Sequence, residues 1–199
     1  MLFRSGLGRL ILVDHDKVTP SNLNRQFLHW DKDRNRKKTE SAREKLKELN
    51  PELTLEILSE KITSQTIGNI PSTDLLIGAV DNFRVRYLLN ESAIENKVPY
   101  IHGAIEGFQG QLTTVLPDKS PCLRCIFPDP PPEKEGLPVF GTAAGVIGTM
   151  MANEGIKYLT GKGNLLTGRL LLIDITGNNF DTVELEKSPD CPVCGTDRP

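Results

Sequence analysis

The chain has 199 residues, a quarter of them charged, and a formal net charge of −2. This balance excludes a dedicated nucleic-acid binder, which is expected to be clearly basic. No apolar run approaches the ~20 residues of a membrane span and no signal peptide is found, so we expect a cytoplasmic protein with no membrane partner. The length predicts a single domain, 1–199, with a core large enough to fold without disulfides.

Strand and helix patterns alternate along the first part of the chain. Strands are predicted at 9–14, 53–58 and 74–80, and helices at 38–49, 64–70 and 83–97. Two further strands are predicted at 99–105 and 111–116. This alternation is typical of the α/β class, and it predicts a Rossmann-like, doubly wound, mostly parallel sheet.

The second part of the chain has a different character. Proline-rich residues 129–138 predict an exposed crossover loop. A helix is predicted from about 142 to 159, and its small residues suggest close approach to a neighbouring backbone or subunit. The strands predicted at 169–175 and 182–186 form an antiparallel pair, which extends the sheet at its C-terminal end.

Four cysteines form two C-x-x-C pairs, Cys122 with Cys125 and Cys191 with Cys194. In a cytosolic protein such pairs are read as thiolates, and two pairs complete a closed tetrahedral zinc site with a structural role. A redox pair is the alternative, weakened because neither pair is predicted to begin a helix that would lower a thiol pKa. Two unlinked free pairs are the third interpretation.

Polar residues at strand ends predict a nucleotide site. Asp14 ends the first strand, where an acid can accept hydrogen bonds from a ribose hydroxyl. Asn22 and Arg25 lie three residues apart, and an amide and a guanidinium on one face suit a polyphosphate. Asp81 follows the buried strand 74–80, at the end where open α/β sheets bind their ligands.

The run from Asp14 to Gln26 resembles the signature of the ThiF/HesA/MoeB family, relatives of the ubiquitin-activating enzymes. Further motifs follow in the order of the family: Lys38–Ala42, Leu49–Pro51, Asp81–Arg86, Pro121–Cys125, Gly145–Gly148 and Cys191–Gly195. Together these motifs cover nearly all of the chain.

The resemblance implies ATP-dependent adenylation of the C-terminal carboxylate of a small ubiquitin-like or sulfur-carrier protein, as in molybdopterin or thiamin biosynthesis, by a homodimer. It implies ATP, Mg²⁺ and Zn²⁺ as cofactors. It also implies that Arg25 and Lys38 are catalytic residues that contact the phosphates. Asp16 is expected only to hold its turn. The resemblance also implies ribose binding by Asp14, phosphate orientation by Asn22 and Gln26, and Mg²⁺ binding by the catalytic Asp81. Asn82 is expected to contribute to the cofactor site beside Asp81, or else to act only as the N-cap of the following helix.

Three further expectations limit this function. If zinc takes all four thiols, no cysteine remains for thioester chemistry. Met1–Gly8 resembles the end of a first helix, so the glycine loop of the family would lie upstream and the chain as given would be an N-terminally incomplete, inactive fragment, with a natural short variant as the alternative. The second function is therefore a non-catalytic scaffold that binds a ubiquitin-like partner, and a dehydrogenase is a distant third.

Overall fold

The computed structural model describes residues 2–130 and 139–196, which form two compact units, Met1–Pro71 and Ser72–Pro199. The single domain stays a prediction. Most of the predicted crossover loop, residues 131–138, lies outside the described residues. None of the described helices is both long and apolar enough to cross a membrane.

The first unit is built on two parallel strands and a helix. Strand β1 (Arg9–Val13) pairs with β2 (Thr54–Leu58), and helix α1 (Lys38–Leu49) packs on β2. The predicted strands and helix are thus confirmed. Asn50 ends the helix because the following proline cannot continue it.

The predicted helix at 64–70 is only a 3₁₀ turn, Ile67–Asn69. Thr63 and Thr66 explain the difference. The Thr63 backbone N–H donates to Thr66 Oγ1 at 2.9 Å, and the Thr66 hydroxyl donates to the Lys61 carbonyl at 2.5 Å. Such local side-chain bonds compete with helical backbone bonds and favour a turn.

The second unit contains a five-stranded sheet in chain order. Its first two strands are parallel, and every later pair in the sheet is antiparallel. The strands are β3 (Leu76–Gly78), β4 (Tyr100–Glu106), β5 (Gln109–Val115), β6 (Arg169–Asp174) and β7 (Asn179–Glu184).

The prediction of a mostly parallel sheet is wrong for the described residues. Two strand pairs are parallel and three are antiparallel. The reason is the two-residue loop Gly107–Phe108 between β4 and β5, in which Gly107 has a φ of 60°. A loop this short can join only antiparallel neighbours. The antiparallel pairing of the last two strands is confirmed.

The core of the second unit lies between its sheet and helix α4 (Gly141–Thr160), and it contains Ile101, Leu112, Ile147, Met151, Leu171 and Ile173. The close approach expected of this helix occurs, but glycines of the strands provide it. A Cβ on Gly103 would lie 2.3 Å from Met151 Sδ, and one on Gly110 would lie 2.5 Å from Ile147 Cδ1. Gly145 and Gly148, on the helix itself, have open space around them.

Helix α2 (Phe83–Glu95) packs against β3 and β4. Because side chains alternate along a strand, Tyr100 and His102 lie on the face of β4 opposite to Ile101. Phe127 lies on this second face, with ring centroids 6.3 Å from His102 and 5.5 Å from Phe83. Helices therefore cover both faces of this sheet, as the α/β prediction requires.

Candidate functional site

Two carboxylates lie in the loop that follows β1. The Asp14 backbone N–H donates to the Leu58 carbonyl at 3.1 Å, and its Oδ1 accepts from the Asp16 N–H at 2.8 Å. The Asp14 side chain therefore holds this turn, a role that had been expected of Asp16. This position, at the carboxyl end of a parallel strand, is where open α/β sheets bind their ligands.

Lys38 lies beside these two carboxylates. Its Nζ donates to Asp16 Oδ2 at 2.8 Å and is 3.6 Å from Asp14 Oδ2. The hydrogen bond from Lys38 lowers the pKa of Asp16. The dipole of α1 disfavours a cation at this helix start, so the two carboxylates stabilise Lys38 there. The structure thus brings together the predicted Asp14 and Lys38.

The predicted phosphate-binding residues form a compact turn. Asn22 Oδ1 accepts from the Thr19 backbone N–H at 3.2 Å, and the Asn22 carbonyl accepts from the Gln26 N–H at 2.9 Å. Arg25 Nη1 donates to the Ser21 carbonyl at 2.8 Å, and Arg25 contacts no carboxylate among the described residues. Gln26 belongs to the same turn, and its Oε1 is buried and has no hydrogen-bond partner among the described residues. Contacts with Ser21 and with Asn24 Oδ1 at 2.9 Å therefore hold in place a guanidinium that forms no ion pair with any described residue.

Asp81 lies in the turn between β3 and α2 and is exposed. Its Oδ1 accepts from Asn82 Nδ2 at 3.2 Å, while Asn82 Oδ1 accepts from the Val85 N–H at 2.9 Å. Asn82 is therefore the N-cap of α2, as predicted in the alternative, and it also holds the Asp81 carboxylate. No described residue donates a hydrogen bond to the second oxygen of Asp81.

Arg86 is a residue whose role the sequence reasoning missed. It is buried, and its Nε and Nη2 donate to the Val80 carbonyl at 3.2 and 3.0 Å. Burial lowers the pKa of its guanidinium. Because Val80 precedes Asp81 directly, these two hydrogen bonds from the Arg86 guanidinium hold the turn that contains Asp81. The motif Asp81–Arg86 contained the signal, but only the fold shows where the guanidinium points.

The four cysteines come together in the second unit. Their sulfur atoms all lie within 4.8 Å of one another, with Cys122 3.6 Å from Cys191 and Cys125 3.4 Å from Cys194. A tetrahedral zinc with bonds of about 2.3 Å places its sulfurs about 3.8 Å apart. The cluster fits this geometry, and three of its members are buried, as a closed structural site requires.

The structure corrects the expectation that neither C-x-x-C pair begins a helix. Helix α3 (Leu123–Ile126) begins directly after Cys122, so this C-x-x-C pair does begin a helix. The helix is a single turn, and the Cys122 carbonyl accepts from the Cys125 N–H at 2.9 Å. The sulfur contacts given above join one pair to the other, which favours a shared metal over a disulfide within a pair.

The thiols differ in their electrostatic surroundings. Burial raises the pKa of Cys122, although the Asn90 side chain acts in the opposite direction. Burial also raises the pKa of Cys191, but the backbone N–H groups of Cys194 and Val193 outweigh it and bring this pKa to about 7. Burial and the neighbouring thiols raise the pKa of Cys194, so within the cluster the surroundings of Cys191 favour the thiolate form and those of Cys122 and Cys194 the thiol form.

A buried ion pair supports the segment between the Asn22–Gln26 turn and α1. Asp33 is wholly buried and its Oδ2 accepts from Lys45 Nζ, while its Oδ1 is 3.1 Å from Arg36 Nη1. The Trp30 N–H also donates to Asp33 at 2.8 Å. Burial raises the pKa of Asp33, but Lys45 and the Trp30 N–H outweigh it and lower this pKa to about 2.

The Asp33 pair predicts an acid-sensitive stability. Because the pKa of Asp33 is below its unfolded value of 3.8, the pair contributes fully above that value and is lost as the pH falls towards 2. We expect the free energy of unfolding to drop between about pH 4 and pH 2, measured by urea denaturation. The Asp33→Asn variant should lack this part of the slope, and equal slopes in both proteins would contradict the assignment.

Comparisons with known proteins find similar chains. The model of the ThiF family matches residues 1–193. The SAMP-activating enzyme E1 of Haloferax volcanii is 40% identical over 96% of this chain and 72% of its own length. The sulfur carrier protein adenylyltransferase of Thermus thermophilus is 38% identical over 98% of this chain and 76% of its own.

Other similar proteins are longer than this chain. Adenylyltransferase and sulfurtransferase MOCS3 of Aedes aegypti is 37% identical, and the chain spans 45% of it. The crystal structure of E. coli MccB with ATP superimposes with a TM-score of 0.85 at 23% identity, over 97% of this chain and 61% of that one. At this identity the likeness to MccB shows the α/β fold alone.

Proposed function

The chain belongs to the ThiF family, and on that premise we propose that it uses ATP to adenylate the C-terminal carboxylate of a small ubiquitin-like or sulfur-carrier protein. The names of its relatives, a SAMP-activating enzyme, a sulfur carrier protein adenylyltransferase and MOCS3, support this reaction class. The observation that carries the proposal is the nearly buried Lys38 ammonium, held by Asp14 and Asp16 at the carboxyl end of β1.

The reaction explains why cations are needed. A carboxylate oxygen of the carrier attacks the α-phosphorus of ATP and forms a new P–O bond. The bond from that phosphorus to the bridging oxygen breaks, and pyrophosphate leaves. An anion thus approaches an anion, so the barrier falls when preorganised positive groups hold the phosphates. Lys38 and Arg25 are proposed for this role, and Arg25 has no carboxylate partner among the described residues that would neutralise it.

The acidic and amide residues are proposed to bind the rest of the nucleotide. Asp81 is assigned to Mg²⁺, which would supply charge neutralisation on the phosphates and prefers carboxylate oxygen ligands. Asn82 and Arg86 hold Asp81 for this role through the contacts described above. Asp14 is assigned to a ribose hydroxyl, and Asn22 and Gln26 are assigned to orienting the phosphates.

Pyrophosphate exchange tests the proposal. Because the chain as given is expected to be inactive by itself, the whole protein that contains it is incubated with ATP, labelled pyrophosphate and candidate carriers, beginning with those of molybdopterin and thiamin biosynthesis. We expect exchange with one carrier and none with the same carrier amidated at its C-terminus, because the amide lacks the attacking oxygen. Exchange that is independent of the carrier, or absent with every carrier, would contradict the adenylation.

A non-catalytic scaffold is the second candidate function. All four cysteines of the sequence lie in one cluster, so no cysteine is left for thioester chemistry, and adenylation or binding without chemistry remains. A scaffold would bind a ubiquitin-like carrier equally well whether its C-terminus is free or amidated. Binding of this kind without exchange would decide for the scaffold.

The four thiols are proposed to hold one structural zinc. Their mutual distances fit a tetrahedron, and thiolates are the ligands that zinc selects in closed sites. Zinc would fasten the C-terminal segment to α3. Reduced thiol pairs are typical of a cytoplasmic protein, which is the location we propose. The homodimer stays a prediction, which light scattering of the purified chain can check.

A further inference from the structure

Asn90 connects α2 to the C-x-x-C turn that contains Cys122. The residue is wholly buried, and its Oδ1 accepts from the Leu123 backbone N–H at 2.9 Å. Leu123 follows Cys122 directly and begins α3. The oxygen of the Asn90 amide therefore fixes the turn that presents the Cys122 thiol.

The nitrogen of the same amide has no hydrogen-bond partner. Asn90 Nδ2 is buried, and no acceptor among the described residues lies within hydrogen-bond limits of it. Because Leu123 follows Cys122 directly, the contact of Oδ1 with the Leu123 N–H places this amide beside the turn that contains Cys122. An amide NH₂ group has two protons to donate, and leaving them buried without an acceptor is unfavourable.

We propose that Asn90 is a positioning residue of the metal site, which donates a hydrogen bond from Nδ2 to the Cys122 thiolate once the four thiols hold zinc. A neutral thiol is a weak acceptor, whereas a metal-bound thiolate carries the negative charge that an amide N–H seeks. Hydrogen bonds of this kind orient metal ligands and increase metal affinity.

This arrangement gives one side chain two separable functions. The oxygen fixes the backbone after Cys122 and the nitrogen stabilises the charge on its sulfur. Both contacts are made from α2, so zinc binding stabilises the packing of α2 against α3. The inference rests on the zinc site of the proposed function, and the experiment is designed to separate the two.

The Asn90→Asp variant of the full chain separates the two contacts. It keeps an oxygen that can accept from Leu123, but it replaces the donor with a second oxygen that repels the thiolate. Zinc affinity is measured by competition with a chromogenic chelator, and Co²⁺ substitution reports the sulfur-to-metal charge-transfer bands. We expect a 10–100-fold weaker affinity and shifted bands, since contacts to metal ligands typically have effects of this size.

Asn96→Asp is the matched control. Asn96 ends the same helix, and its Nδ2 donates to the Ser92 carbonyl at 2.8 Å. The control adds the same charge to α2 and should bind zinc as the wild-type protein does. If the wild-type chain holds one zinc and the Asn90 and Asn96 variants bind zinc with equal affinity, the role of Asn90 is overturned while the metal site stands. Absence of zinc from the wild-type protein would instead overturn the metal site.

A second measurement needs no variant. In the wild-type protein, zinc loading should shift the NMR signals of the Asn90 side-chain NH₂ group and slow its hydrogen exchange. The side-chain signals of Asn96 should not change. If zinc binds and the Asn90 signals stay as they were, the proposed hydrogen bond does not form and the inference is wrong.

Discussion

Replacing Cys191 with serine is expected to abolish stoichiometric zinc binding and to destabilise the second unit severely. Cys191 is buried, lies 3.6 Å from Cys122 and connects segments 69 residues apart in the chain. Structural zinc contributes on the order of 10 kcal/mol of folding free energy, comparable to the whole stability of an ordinary domain. Metal analysis and thermal unfolding of the full chain measure both effects.

Metal removal is the control for this variant, because all four cysteines belong to the cluster. A strong chelator should lower the melting temperature of the wild-type protein to that of Cys191→Ser, and added zinc should restore only the wild type. Well under one zinc per wild-type chain, or a variant that melts like the wild type, would contradict the zinc assignment.

In the whole protein that contains this chain, Asp81→Ala is expected to abolish pyrophosphate exchange while the fold stays intact. The carboxylate is exposed in the turn after β3, so its removal leaves no cavity. Arg25→Ala and Lys38→Ala should each cost about 3 kcal/mol of transition-state stabilisation, comparable to the loss of one preorganised donor. This corresponds to roughly a 150-fold slower exchange for each variant. Rates are measured at saturating carrier, and circular dichroism checks the fold.

Each of these residues has a matched control of the same residue type. Asp74 is an exposed acid before β3, at the end opposite to Asp81. Lys37 precedes Lys38, and Arg43 is an exposed arginine on α1. Alanine at these three positions should leave exchange nearly unchanged. Rates within threefold of wild type for Asp81→Ala, Arg25→Ala and Lys38→Ala would refute the assigned roles.

Local patterns predicted most elements and all the clustered cysteines. The apolar run before Asp14 formed β1, and the sequence from Lys38 to Leu49 formed α1 with the predicted bounds. The spacing of the cysteines was sufficient to predict the cluster, because two C-x-x-C pairs are the usual ligand pattern of one shared metal site.

Strand direction was predicted less well. The short gap between the strands at 99–105 and 111–116 contains Gly107, whose positive φ closes a hairpin. The prediction instead extended the parallel order of the first strands. A gap of five residues, 106–110, that contains glycine is by itself a hairpin signal, so this error was in the interpretation and not in the information available.

The sequence by itself determined which residues can carry chemistry, since an acid after a strand, a guanidinium in a turn and paired thiols are local features of the chain. Only the tertiary structure decided how their side chains are held. Lys38 contacts Asp16 across 22 positions, Arg86 turns back to the Val80 carbonyl, and Asn90 bonds Leu123 across 33 positions. Such contacts depend on where packed elements bring distant side chains and on which rotamers burial allows, and neither is encoded in a local pattern.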